Sequence, residues 1–238
     1  MTTLLVTGTG TGVGKTVVTA AIATLAVAAG RRVTVMKPAQ TGEPDGAPGD
    51  IADVVRLAGP VQSVELVRYP DPLSPEAASR RSGRPALTLA GCVDAVAAAA
   101  RDADLVLVEG AGGLLVRYDS GGMTMADVAV ALQLPVVLVT AAGLGTLNAT
   151  ALTLEAMGTR GLALHALVVG AWPAQPGLAE RCNIEDLQVL ADQQLSGVLP
   201  DGAGLLDGDA FRDTARQAMA PLLGGDFDPA AFDTAALA

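Results

Sequence analysis

The chain has 238 residues, half of them hydrophobic, a length and apolar content that suit one compact α/β domain, read here as residues 1–225 with a tail at 226–238. Lys plus Arg number 15 against 25 Asp plus Glu, for a formal net charge of -10. That balance excludes nonspecific attachment to nucleic acid or anionic lipid, so any phosphate chemistry must rest on locally placed cations.

The opening residues, MTTLLVTGTG, lack the basic start and cleavage site of a secretory signal, and no later apolar run is long enough to span a membrane. A soluble, cytoplasmic protein is expected. TLLVT near residue 5 reads as a strand, Gly8 to Thr16 as the loop GTGTGVGKT, and Thr16 to Ala29 as an Ala-rich helix. Strand, glycine loop and helix in that order are the setting of a phosphate-binding loop. Its glycines let backbone N–H groups converge on phosphate oxygens, Lys15 neutralises the β and γ phosphates, and Thr16 offers its hydroxyl to Mg²⁺. The strict pattern has a glycine at position 9, where Thr9 stands, so the loop is one residue longer between Gly8 and Gly14. Partner-switching ATPases of the KGGVGKT type place a second lysine at the position of Gly10, which counts against a partitioning or targeting ATPase.

The next strand, RVTVMK, is expected to end at Lys37, with Pro38 stiffening a turn that presents the Thr41 hydroxyl. Lys37 is either an ordinary strand-end lysine or the cation that makes up for the missing loop lysine. Gly42 to Gly49 reads as a loop, and Asp50 opens the helical stretch DIADVVRLA as either a metal ligand or a helix N-cap. A helix is expected over Thr88–Ala103, followed by the apolar strand DLVLVE, which ends on Glu109 before GAGG. A carboxylate at the carboxyl end of a buried strand, near a phosphate loop, suits a magnesium ligand. PVVLVT ends at Thr140, and a helix over Asn148–Thr159 begins with Asn148 either as a plain N-cap or with free N–H groups for a substrate carboxylate. ALVVG ends at Gly170, and helices are expected over Ile184–Gln194 and Asp209–Met219. The tail GGDFDPAAFDTAALA either docks on the core or frays.

This alternation predicts a three-layer P-loop NTPase fold, a mostly parallel sheet with helices on both faces and ligands beyond its carboxyl edge. Cys92 and Cys182 read as core thiols, and the single His165 as a packed strand residue. Serine–histidine triads and multi-histidine metal sites are therefore poorly supported.

In order and spacing, GTGTGVGKT, KPAQTG, Gly49-Asp50, VEGAGG and GTLN resemble the dethiobiotin synthetases, and the resemblance extends through Pro200. It implies an ATP-dependent ligase that joins CO₂ (or bicarbonate) to 7,8-diaminononanoate and closes the ureido ring through a carbamate and a carbamic-phosphoric anhydride. It further implies that Thr16, Asp50 and Glu109 hold Mg²⁺, and that Lys15 and Lys37 clamp the phosphates and the reacting group. The nucleotide contacts would be Gly12, Val13, Gly14, Lys15, Thr16, Val17, Asp50, Glu109, Gly110, Ala111, Gly112, Gly170, Ala171, Pro200, Asp201 and Gly202. Thr11, Thr41, Gly145 and Asn148 would contact substrate, the last two across the interface of a homodimer with shared sites. Many relatives carry acidic residues where this chain has Gly10 and Gly12, which leaves backbone contacts only at those positions. Many also end the late strand with an Asn that reads adenine; Gly170 has no such side chain, so other nucleoside triphosphates are expected to serve. Trp172 either covers the base or packs in the core. An amide-forming relative that takes ammonia from glutamine would need a further domain with a nucleophilic Cys, for which this chain has no room.

Overall fold

In a computed structural model describing residues 1–232, seven strands form one sheet: β1 (Thr2–Gly8), β2 (Val33–Thr41), β3 (Gln62–Tyr69), β4 (Leu105–Gly113), β5 (Val136–Thr140), β6 (Leu164–Trp172) and β7 (Gly197–Pro200). Their order is β3-β2-β4-β1-β5-β6-β7, and every strand pairing is parallel. A parallel sheet is covered on both faces, so its central strands must be apolar throughout rather than alternating. All five residues of β5, VVLVT, are accordingly buried.

Eight α-helices cover the sheet: α1 (Lys15–Ala28), α2 (Asp50–Ala58), α3 (Pro75–Ser82), α4 (Leu89–Ala99), α5 (Met125–Leu132), α6 (Thr146–Thr159), α7 (Leu178–Ala191) and α8 (Gly208–Ala218). On one face, α1 presents small residues such as Ala20, Ala21 and Ala23, which bring the helix close to the strands, and α2 and α8 pack beside it. Phe211 of α8 is fully buried there, and burial of such a side chain contributes about 1.5–3 kcal/mol, enough to pin this otherwise polar helix. The opposite core is built from Cys92 and Val96 of α4, Met125 and Val128 of α5, Met157 of α6, and Ile184 and Leu187 of α7. The alternation of strands and helices thus produces the expected three-layer architecture.

Several local expectations are corrected. The strands β3 and β7 and the helices α3 and α5 are additions to the expected elements, although α5 opens with a Thr124–Asp127 capping box and α3 with Ser74-Pro75; β3 is a half-exposed edge strand and β7 has only four residues. Strand β2 does not end at Lys37 but runs through Pro38 to Thr41. Its pairing with β4 stops at Met36 while pairing with β3 continues, so Pro38 sits in the singly paired part of the strand, where a missing N–H is tolerated. Strands β4 and β6 likewise continue past Glu109 and Gly170. Helix α6 begins at Thr146 with Gly145 as its cap, so Asn148 is not the N-cap. The cap of α2 is Gly49, which makes Asp50 the first helical residue and not the cap. Helix α7 starts at Leu178, well before Ile184, and Cys182 on it is exposed rather than a core thiol; Cys92 is buried. His165 lies in β6, part-buried, with its pKa lowered by burial.

The tail docks as far as it is described. Phe227 is buried, and Phe232 meets the ring of Trp172 edge-on at 5.4 Å and that of Phe227 at 5.5 Å. Trp172 therefore packs against the tail. The remainder of the tail, 233–238, lies outside the described residues.

Candidate active site

Strand β1 lies between β4 and β5, where the chain order reverses, so the loop leaving it opens onto the crevice in which sheets of this kind bind ligands. Gly12 and Gly14 hold φ of 76° and 93°, a region that side chains with a Cβ avoid. Gly14 caps α1, whose free N–H groups point toward the crevice end of the loop. Lys15 Nζ donates to the Gly10 carbonyl at 2.9 Å. Burial lowers the pKa of Lys15 and repulsion by Lys37 lowers it further, against the pull of Glu109 and Asp50.

Lys37 is the centre of the site. It is 4% exposed, and its Nζ donates to Glu109 Oε1 at 2.8 Å and to the Gly110 carbonyl at 3.3 Å while pairing with Asp50 Oδ2. Burial opposes its charge, but Glu109 and then Asp50 outweigh that and hold its pKa above the ordinary lysine value. Lys37 is thus an ion-paired, permanently charged cation rather than a solvated strand-end lysine. Two hydroxyls also engage Glu109: Oε1 accepts from Thr16 at 2.9 Å, and Oε2 from Thr19 at 2.6 Å.

Thr16, Asp50 and Glu109 therefore converge on one point through Lys37. Among the described residues there is no group of three or more His, Cys, Asp or Glu side chains able to hold a metal. Two carboxylates and a hydroxyl are an all-oxygen set suited to Mg²⁺, an ion that keeps several waters and takes its remaining ligands from substrate phosphates.

Three supporting residues have roles that no motif assigns, although Gln40 itself stands within KPAQTG. The buried Gln40 accepts from the Asp50 backbone N–H at 3.0 Å and donates to the Thr41 carbonyl at 3.1 Å, which ties the start of α2 to β2 and sets Asp50 beside Lys37. Thr19 follows Thr16 by three residues and so shares its helix face, the one hint the sequence offers. The fully buried Tyr118 hydroxyl accepts from the Ala111 N–H at 2.6 Å and thereby fixes the GAGG turn; burial pushes its pKa up to about 12.

The site opens into a cleft of about 800 Å³. It collects Thr11, Gly12, Gly14, Lys15, Thr16 and Val17 from the loop and α1; Lys37, Thr41 and Asp50 from β2 and α2; and Glu109, Ala111 and Gly112 from β4. The remaining wall is Glu43 with Pro72, Leu73, Ser74 and Pro75, residues to which no motif assigns a role. Val13 is buried, and Gly110 contributes its carbonyl to Lys37.

The other candidates lie outside this cleft. Asn148 borders a second hollow beside Thr9, Gly10 and Thr11, and Gly145 caps α6. Gly170 sits directly against the phosphate loop: a Cβ there would come within 2.0 Å of the Val13 carbonyl oxygen. Its lack of a side chain is thus also a packing requirement, and no side chain stands at this position to read the base. Ala171 follows it in β6; Pro200 pairs with Trp172, Asp201 N–H donates to the Trp172 carbonyl at 2.7 Å, and Gly202 N–H donates to Asp201 Oδ1 at 2.9 Å, so these residues form one turn at the edge of the sheet.

A family model described as an AAA domain matches residues 2–205. An ATP-dependent dethiobiotin synthetase of Saccharopolyspora erythraea is 58% identical over 225 residues, covering 94% of this chain and 98% of that protein. The chain belongs to the dethiobiotin synthetase family. A second family member of the same name, from Frankia casuarinae, is 58% identical over 227 residues, covering 95% of each chain. Among solved structures, the MinC:MinD cell division complex of Aquifex aeolicus aligns with a TM-score of 0.57 over 96% of this chain and 98% of that one. At 16% identity, that likeness concerns the fold this dethiobiotin synthetase family member shares with it, and nothing of its chemistry. No helix among the described residues is long and apolar enough to cross a membrane.

Proposed function

We propose that the chain is an ATP-dependent dethiobiotin synthetase, a ligase that joins CO₂ to 7,8-diaminononanoate and closes the ureido ring to give dethiobiotin, ADP and phosphate. One substrate amine takes up CO₂ and loses a proton; a carbamate oxygen attacks the γ-phosphorus and ADP leaves; the second amine attacks the carbonyl carbon, and phosphate and a proton depart. Little of this requires covalent chemistry by the protein, which contributes position and charge neutralisation.

The observation that carries the reading is Lys37, a buried cation held by Glu109 and Asp50 beside the phosphate loop. Lys15 and the loop N–H groups bind the β and γ phosphates, while Lys37 faces the carbamate and the transferring phosphoryl group. Thr16, Asp50 and Glu109 would hold Mg²⁺, which when bound adds positive charge to the phosphates. Thr41 and Thr11, both on the cleft wall, contact the substrate. The nucleotide base rests against the β6 and β7 ends, at Gly170, Ala171 and Pro200–Gly202, where backbone groups predominate, so nucleoside triphosphates other than ATP also serve.

We infer that the enzyme acts in the cytoplasm as a homodimer in which Gly145 and Asn148 reach the partner's site. The hollow beside Asn148 adjoins the phosphate loop, and Leu152 on its rim is 59% exposed, as a surface awaiting a second copy would be. The test of the activity is phosphate release with dethiobiotin detected by mass. Release that requires both diaminononanoate and bicarbonate is expected; release independent of either overturns the reading.

A further inference from the structure

We propose that Glu43 is a specificity-determining residue that receives an ammonium group of the diamine substrate, an inference that rests on the dethiobiotin synthetase reading above. The cleft gathers charges of both signs. Its lining holds Lys15, Lys37, Asp50, Glu109 and Glu43. Asp50 and Glu109 are both paired with Lys37, and Glu109 also accepts from Thr16 and Thr19. Both already serve Lys37 and, in the proposed function, Mg²⁺, so an ammonium group would have to compete with two cations for either of them. The phosphate loop, GTGTGVGKT, carries no acidic side chain. Glu43 is therefore the lining carboxylate for which no hydrogen bond or ion pair is found among the described residues. Arg68 lies near enough to feel its charge, but that guanidinium is committed to Glu65 through two 2.7 Å bonds.

The backbone around Glu43 is also held firmly. Gly42, with φ of 85°, turns the chain sharply as β2 ends, and its N–H donates to the Tyr69 and Asp71 carbonyls at 3.1 and 3.0 Å. On the other side, Arg68 donates to the Pro44 and Ala47 carbonyls, and Arg84 pairs with Asp45 at 2.7 Å. An unpaired carboxylate mounted on a clamped turn loses little freedom when it takes a ligand, which is what makes a charged contact effective. The ligand entering this cleft carries two amines and must approach two lysines. An ammonium group is repelled at the lysine end and attracted at the Glu43 wall, so Glu43 orients the substrate as well as holding it.

The test compares the full-length enzyme with Glu43→Gln, measuring direct binding of diaminononanoate and of nonanoate, which lacks the amines, together with ATP affinity as a control for the fold. Loss of one charge-assisted hydrogen bond at a half-buried site should weaken diaminononanoate binding about tenfold or more, with nonanoate and ATP unchanged within about twofold. The KM for diaminononanoate should rise by a similar factor with a smaller change in kcat. Unchanged diamine binding, or an equal loss for nonanoate, overturns the role of Glu43. Failure of the unaltered enzyme to make dethiobiotin at all would instead sink the activity, so the two failures are distinguishable.

Discussion

Lys15 and Lys37 carry the same charge in the same cleft, yet their surroundings separate what each change should do. Lys15 Nζ meets a carbonyl, whereas Lys37 balances two carboxylates, one of them fully buried. Either substitution to Ala removes a cation from the phosphoryl-transfer site and should lower kcat by about two powers of ten or more. Only Lys37→Ala also strands Glu109, and breaking a buried pair costs about 3–5 kcal/mol. Thermal unfolding should therefore show a large drop for Lys37→Ala and a small one for Lys15→Ala; equal drops would contradict the pairing. The pair Lys15–Thr16 was legible because the whole motif is contiguous. Gln40, Thr19 and Glu43 were not, because each acts on a group that only the fold brings near: Gln40 on Asp50, Thr19 on Glu109, Glu43 on the opening of the cleft.

At the scale of elements, the phosphate loop and β6 are packed so closely that neither tolerates a side chain at the contact. A Cβ at Gly170 would meet the Val13 oxygen at 2.0 Å, and one at Gly14 would meet the Gly170 oxygen at 2.5 Å, while Gly10 has nothing within 4 Å. Gly170→Ala must push the loop out of place, and overpacking of this kind costs about 1–3 kcal/mol. ATP affinity should fall in Gly170→Ala and stay close to the original in Gly10→Ala, as measured by calorimetry. A Gly170→Ala variant that binds ATP normally would show that the loop has room to give. From sequence, Gly170 is a position without a base-reading side chain; the fold adds that its bareness is demanded by a neighbour 157 positions away in the chain, Val13.

For the whole molecule, two buried acids, Cys92 and Tyr118, contribute to the alkaline limit. Cys92, ordinarily at 9.0, is pushed up to about 11 by burial, and Tyr118, ordinarily at 10.0, up to about 12. Both are neutral when protonated, so the folded state holds their protons more tightly than the unfolded chain. Their stabilisation is complete below about pH 9 and is lost as pH rises through 9–11 for Cys92 and 10–12 for Tyr118. The unfolding temperature should decline above pH 9, and Cys92→Ala should flatten the first part of that decline; an unchanged slope would mean the thiol ionises without unfolding. Assembly is tested at the same scale. Sedimentation should show a dimer, and Leu152→Glu should yield monomers with activity reduced by at least about tenfold if Asn148 serves the partner's site. A monomer with full activity refutes the shared site.

By itself, the sequence determined the phosphate loop, the alternation of strands and helices, and the family, because each is written in contiguous residues whose spacing follows the chain's own geometry. The edge strands β3 and β7 escaped it because a half-exposed strand and a four-residue strand bury too little to leave a pattern. Only the tertiary structure decided that Lys37 lies between Asp50 and Glu109, that Asp50 follows a glycine cap, and that Gly170 supports the loop. Electrostatic pairing and close packing act through space, and the partners of a buried charge are chosen by which strand ends the sheet order sets side by side.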